Sequence, residues 1–156
     1  MSTRSITRIF NGHQELCRIY KHYDGHPLGW GSELAEFLMN LDRSNPTNHR
    51  LRHAGYIAVD LLAHFGKQFE DIELQPTTWE DSFFHDHNYE YRVYASYDKG
   101  IELHCLRMPL GDDLGDIVGR GTPQQMFDLF QSERPALETR LRGLGFGYID
   151  GWGWVR

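Results

Sequence analysis

Three side chains that can bind a metal ion or move a proton occur at alternate positions near the start of the chain: His22, Asp24 and His26. Alternate side chains of an extended backbone project to one side, so the three could share a ligand. Imidazole and carboxylate groups coordinate Zn²⁺ and similar ions, and either group can act as a general base. However, Asp24-Gly25 is typical of a turn and Pro27 restricts the backbone after it, which favours a structural or recognition role over catalysis.

These residues belong to a glycine-rich segment, residues 20–38, whose sequence is YKHYDGHPLGWGSELAEFL. The segment joins a strand-like run to a helix-like run, and such joints often present backbone N–H groups and side chains to a ligand. The same arrangement also forms ordinary corners of α+β domains. The residues that would shape or contact a ligand here are His22, Asp24, Gly25, His26, Gly29, Trp30 and Gly31.

No motif of high catalytic specificity accompanies this segment. The chain has no G-x-S-x-G elbow, no G-x-x-x-x-G-K-[ST] phosphate loop and no G-x-G-x-x-G fingerprint. His85 and His87 flank Asp86, but their spacing matches no closed zinc site, and they would complete the first group only if the fold brought the two together. Cys17 and Cys105 lie in strand-like runs and are expected to be buried free thiols. We therefore expect no bound cofactor.

Acidic residues dominate one stretch of the chain. The net charge is −6, which argues against a general nucleic-acid binder because phosphate contacts need a concentrated basic surface. Residues 68–91 contain seven acids and no Lys or Arg, and a second acidic cluster follows at residues 112–116. Such surfaces attract basic partners, although a solvated loop is the ordinary interpretation. The candidate protein-binding acids are Glu70, Asp71, Glu73, Glu80, Asp81, Asp112 and Asp113.

The tail at residues 143–156 alternates glycine with aromatic residues. It would either cover an exposed sheet face or present Trp152 and Trp154 as anchors for a partner, since Trp is common at the energetic centres of interfaces. No apolar run approaches the length of a membrane span, and the first residues lack an apolar leader. We therefore expect a cytoplasmic protein with no membrane partner.

The strands that must position these residues are predicted from alternation and turn residues. Residues 3–10 and 16–23, joined across Asn11-Gly12, are predicted to form one hairpin. Residues 89–97 and 101–108 are predicted to form a second.

The helices are predicted from caps and apolar spacing. One is expected to begin with Ser32 as its N-cap, a second follows the apolar stripe at residues 51–65, and a third begins at Thr122-Pro123. Residues 1–156 are thus expected to form a single α+β domain. Its antiparallel sheet would have about four strands, with the helices packed on one face.

The glycine-rich segment resembles a motif of small proteins encoded by bacteriophages, prophages and mobile elements. The matching residues read T-R-S at residues 3–5 and Y-x-H-x-D-G-x-P-x-G-x-G-x-x-L at residues 20–34, and the strand at residues 89–94 is similar as well. The resemblance covers about the first forty residues and that hairpin. It implies a bacterial setting, in which accessory proteins of this kind often bind host proteins, including defence nucleases and their regulators.

Because the sequence also contains no recognisable active site, this setting favours a non-enzymatic protein that binds and inhibits or redirects a bacterial host or defence protein, as anti-defence and anti-CRISPR proteins do. The alternative is a small metal-dependent hydrolase or nucleotide-binding protein that uses His22, Asp24 and His26. Stoichiometric capture of a bacterial protein would favour the first function, and bound metal would favour the second.

Overall fold

Six strands of the chain form one mixed β-sheet, and three α-helices pack against it. The computed structural model describes residues 3–44, 53–66, 72–78, 87–96, 98–108, 116–136, 139, 147–149 and 153–155. The strands of the sheet are β1 (Ser5–Asn11), β2 (Gln14–Lys21), β3 (Ile72–Gln75), β4 (Tyr89–Ser96), β5 (Gly100–Arg107) and β6 (Asp116–Gly121). The helices are α1 (Ser32–Ser44), α2 (Ala54–Phe65) and α3 (Pro123–Ser132). Two short strands, β7 (Gly147–Ile149) and β8 (Gly153–Val155), form a separate antiparallel pair.

The sheet differs from the prediction of about four antiparallel strands. The strand order is β3-β2-β1-β4-β5-β6, and the two central strands, β1 and β4, run parallel. Parallel strands need a crossover connection of about a dozen residues or more, and β1 is connected to β4 by residues 12–88, which include β2, α1, α2 and β3. The two predicted hairpins are confirmed, because β1 pairs with β2 and β4 pairs with β5 in antiparallel register.

The two edge strands of the sheet, β3 and β6, have only a weak sequence pattern. β3 is only four residues long, and Gly119 and Gly121 weaken the strand pattern of β6. A Cβ atom at Gly119 would lie 2.4 Å from Cδ2 of Leu129 on α3. Close packing against α3 therefore explains why this strand carries glycine.

The hairpin turns depend on two glycines with positive φ. Gly12 has φ +60° and Gly100 has φ +78°, a conformation that glycine adopts without steric cost. Asn11 still pairs with Gln14 in the ladder, so the first turn consists of Gly12 and His13. The predicted turn at Asn11-Gly12 is therefore displaced by one residue.

The core lies between the three helices and one face of the sheet. The apolar stripe predicted for α2 is confirmed from Ala54 onward, since the inward positions there are all buried: Ala54, Ile57, Ala58, Leu61 and Phe65. The first predicted position, Leu51, lies outside the described residues. The N-terminus of α3 is confirmed as well, because the Thr122 side chain accepts from the backbone N–H of Gln125 and the Gln125 side chain accepts from that of Thr122. Among the described residues, no helix combines the length and apolar character that crossing a membrane requires.

The opposite face of the sheet carries a buried set of charged side chains. The register places Arg8 of β1 beside Arg18 of β2 and Arg92 of β4. Glu15 accepts two hydrogen bonds from Arg18, at 2.7 and 2.8 Å, and lies 3.5 Å from Arg8. Glu90 accepts from Arg92 and lies 3.5 Å from Arg8. Two carboxylates thus hold three neighbouring guanidinium groups together.

Glu90 is the most deeply buried carboxylate of this set, with its side chain 2% exposed. Burial alone would raise the pKa of Glu90, because it disfavours the charged form. A hydrogen bond with His87 and the guanidinium groups of Arg8 and Arg92 outweigh burial and hold the pKa at about 2. Glu90 therefore stays ionised at neutral pH and neutralises the arginines around it.

Candidate functional site

Between β2 and α1 the glycine-rich segment forms a corner, which contains a π-helical turn at Pro27–Gly31. His26 caps this turn, since its Nδ1 accepts from the backbone N–H of Leu28 at 3.2 Å. Ser32, predicted as an N-cap, instead lies inside continuous helical structure and donates its hydroxyl to the carbonyl of Pro27 at 3.1 Å. The cause is Pro27, which suits the first helical position because it needs no hydrogen-bond acceptor there.

Gly25 joins this corner to the two central strands. Tyr91 donates its hydroxyl to the Gly25 carbonyl at 2.9 Å, and the Gly25 N–H donates to the carbonyl of Thr3 at 2.8 Å. A Cβ atom at position 25 would lie 2.6 Å from the backbone nitrogen of Ser5. Residue 25 must therefore be glycine because another backbone segment occupies the side-chain space.

The Gly25→Ala substitution is expected to lower the free energy of unfolding by about 3 kcal/mol, the upper end of the usual cost of overpacking. Gly55→Ala is a suitable control, because its Cβ would meet only the His53 side chain, at 3.2 Å, on a helix where alanine is preferred. Urea unfolding of both variants measures the difference. Equal stabilities would show that the close approach at Gly25 does not constrain the corner.

Trp30 is fully buried under the same corner. Its indole N–H donates to the Thr7 hydroxyl at 2.8 Å, and the Phe65 ring packs edge-on at 4.6 Å between centroids. The Lys21 ammonium lies 5.2 Å from the centre of the indole ring, within the range of a cation–π interaction. At Gly31, a Cβ atom would lie 3.0 Å from the Tyr91 ring. Trp30 and Gly31 thus belong to the core.

The structure gives separate surroundings to the three alternating side chains His22, Asp24 and His26. His22 lies with its Nε2 3.6 Å from a carboxylate oxygen of Glu73, while the His26 ring packs edge-on against Tyr89 at 5.4 Å. Asp24 turns its carboxylate over Gly29, where a Cβ atom would lie 2.3 Å from both oxygens. The described residues include no group of three or more His, Cys, Asp or Glu side chains able to hold a metal. The structure therefore does not bring the three together around one ion.

Asp24 also adopts a left-handed backbone conformation, with φ +54°, which Asp tolerates better than most residues. Burial raises the pKa of Asp24, the nearby Glu33 carboxylate raises it further and Lys21 opposes both. The missing Cβ of Gly29 makes room for this carboxylate. Asp24 and Gly29 therefore form one structural unit of the corner.

A cleft between α1 and α2, which we call the helix cleft, has a volume of about 610 Å³. Apolar rings form part of it, since Phe37 and Phe65 lie 5.5 Å apart and His64 packs against both, at 4.9 and 4.6 Å. Two exposed glutamates of α1 line it as well. Its lining residues are Glu33, Glu36, Phe37, Asn40, Leu41, His64 and Phe65.

A second pocket, which we call the corner pocket, lies beside His26 at one end of the sheet and has a volume of about 420 Å³. Burial lowers the pKa of His26 and raises that of Tyr89, so both side chains are uncharged at neutral pH. The pocket gathers side chains of three strand ends with the His26 cap. Its lining residues are Thr3, His26, Asn88, Tyr89, Arg107, Met108 and Asp116.

The two cysteines are buried free thiols, as predicted. Burial raises the pKa of Cys17 to about 11, with a smaller contribution from Glu15. Burial likewise raises the pKa of Cys105 to about 12, although the Tyr91 hydroxyl opposes it. Both groups are therefore protonated near neutral pH, and the thiolate is the nucleophilic form of cysteine.

The predicted acidic surface is only partly visible. Glu73 lies exposed on β3, and Trp154 lies within β8. His87 is buried beside Glu90. The other predicted contacts lie outside the described residues: Glu70, Asp71, Glu80, Asp81, His85, Asp86, Asp112, Asp113 and Trp152.

Sequence reasoning missed both cavities. The glutamates of the helix cleft, Glu33 and Glu36, are spaced i, i+3 on α1, which places them on one face, but acids are common near the start of a helix because they suit its positive end. The sequence signal for the corner pocket was limited to His26, because Tyr89 and Arg107 become neighbours only through the pairing of β4 with β5.

Comparisons with known proteins identify no relative of this chain. No family model, no curated protein and no solved structure matches the chain. The resemblance to mobile-element proteins therefore stays a prediction from the motif.

Proposed function

We propose that the protein binds and inhibits or redirects a bacterial host or defence protein without catalysing a reaction, and that the helix cleft receives an anchor side chain of that partner. The bacterial setting rests on the motif at residues 20–34. The mode of binding rests on one observation, the combination of aromatic side chains and exposed glutamates in the lining of the helix cleft.

The helix cleft fits a long cationic side chain. The methylene groups of a Lys or Arg side chain pack well on aromatic rings such as Phe37 and Phe65, while the charged end remains near water. Glu33 and Glu36 also line the cleft and are exposed, so their carboxylates would accept charge-assisted hydrogen bonds from that end. A pocket of this kind is typical of the few contacts that carry most of the binding energy of an interface.

Exposed apolar side chains and the net charge both support a protein partner. On α2, Tyr56 and Val59 are 46% and 63% exposed. Large exposed apolar side chains are a feature of interaction sites. The net charge of −6 would in addition speed the encounter with a basic partner.

The test is capture of a partner from a bacterial lysate, quantified by mass spectrometry. Glu36→Lys is expected to weaken the capture about tenfold or more, because it places a cation where the partner's cation binds. Glu102→Lys on β5 is the matched control, since it makes the same charge change at another exposed glutamate and should leave the capture unchanged. Capture that survives Glu36→Lys at low and high salt would contradict the proposal.

A further inference from the structure

The corner pocket is built on fixed backbone. The N–H groups of Asn88 and Tyr89 both donate to the carbonyl of Arg4, at 2.9 and 3.3 Å, and Met108 donates to the carbonyl of Asn88 at 2.9 Å. These bonds tie the start of β1 to the start of β4 and the end of β5. The backbone of Asn88, Tyr89 and Met108 in the pocket is therefore held by hydrogen bonds between the strand ends.

Hydrogen-bond donors predominate among the polar groups that line the pocket. The Nδ1 atom of His26 accepts from Leu28, so in the neutral ring the proton is on Nε2 and that nitrogen is a donor. The Asn88 carboxamide oxygen accepts from the Arg4 N–H at 3.1 Å, which leaves its NH₂ group as the donor for a ligand. Tyr89 adds a hydroxyl group.

Arg107 supplies a positive charge to this set. Within the described parts of the chain its guanidinium forms no salt bridge, even though Asp116 is its register partner on β6 and also lines the pocket. The Arg107 charge lowers the pKa of His26 and of Tyr89, so the guanidinium acts on both side chains. Glu133 raises the pKa of His26 but does not line the pocket.

We propose that the corner pocket binds a small molecule through an oxyanion, either a phosphate ester or a carboxylate, held by Arg107, the Nε2 of His26 and the amide of Asn88. The Tyr89 ring and Met108 would contact the apolar part of that molecule, and Asp116 would accept from one of its hydroxyl or amino groups. The volume of about 420 Å³ falls within the usual range for small-molecule sites and admits a ligand as large as a mononucleotide. This site is separate from the helix cleft, so each proposal can fail alone.

The test uses three probes on the purified full chain: inorganic phosphate, adenosine monophosphate and succinate. Binding is followed by amide chemical shifts in nuclear magnetic resonance and by calorimetry. At least one probe is expected to bind and to shift the amide signals of Asn88, Tyr89 and Arg107. Binding of the phosphates alone would assign a phosphate ester, and binding of succinate alone would assign a carboxylate.

Two exposed arginines on neighbouring strands, Arg107 and Arg120, test whether ligand binding depends on the charge of Arg107. Arg107→Gln is expected to weaken binding at least about tenfold, the loss that follows from removing one charge-assisted contact, whereas Arg107→Lys should retain part of it. Arg120→Gln on β6 removes the same charge outside the pocket and should change affinity less than about twofold. The proposal is overturned if no probe binds at about 10 mM, or if Arg107→Gln binds like the wild type or like Arg120→Gln.

Discussion

Glu90→Gln is expected to lower the free energy of unfolding by about 3–5 kcal/mol, the usual cost of removing one partner from a buried ion pair. The reason is that Arg8 and Arg92 would remain beside an uncharged amide on a face of the sheet where Arg8 is almost fully buried. Urea unfolding at neutral pH measures the change. Glu102→Gln, at an exposed glutamate of β5, is the control and should cost less than about 1 kcal/mol.

The loss of stability caused by Glu90→Gln should also depend on pH. The pKa of Glu90 is lowered from 4.5 to about 2 by folding, so its ionised form contributes stability above pH 4.5. That contribution is lost progressively as the pH falls from 4.5 to about 2. The stability difference between the wild type and Glu90→Gln should therefore shrink over this interval, and a constant difference would exclude Glu90 as the source.

Trp30→Ala is expected to cost about 3–5 kcal/mol, because it removes the largest fully buried side chain of the described residues and leaves a cavity between the corner and α2. Trp30→Phe separates packing from hydrogen bonding. It keeps an aromatic ring but leaves the Thr7 hydroxyl without the indole donor, so we expect a smaller loss, to which the unpaired hydroxyl contributes about 1–3 kcal/mol.

Thermal and urea unfolding of both variants give the comparison. If Trp30→Ala were as stable as the wild type, the corner would not depend on its packed indole, and the segment around Trp30 would have to be reconsidered as an adaptable ligand site. An intact corner pocket in Trp30→Phe, shown by unchanged probe binding, would in contrast separate the structural role of Trp30 from ligand recognition at His26.

The local elements of this protein could be predicted from the sequence because their signals are local. Gly12 and Gly100 mark the hairpin turns, and Thr122, Pro123 and Gln125 define the start of α3 through contacts within one helical turn. The parallel pairing of β1 with β4 could not be predicted in the same way, because it joins residues far apart in the chain.

The candidate sites likewise combine local features, which could be predicted from the sequence, with long-range contacts, which could not. Alternate spacing placed His22, Asp24 and His26 on one side of an extended strand, but the left-handed backbone at Asp24 and the helical turn that starts at Pro27 end that alternation. The charged set around Glu90 was hidden because its arginines alternate with core residues on different strands. Only the register shows that they meet.

The central parallel pair also has a consequence for the order of events during protein synthesis. Arg4 and Asn88, which are hydrogen-bonded at the start of that pair, are 84 positions apart. The first hairpin can thus form on the ribosome long before β4 has been made, and contacts of such high sequence separation are slow to close. Until then one side of β1 is an unpaired strand edge, so chains that end before residue 89 should aggregate through it more readily than the complete chain.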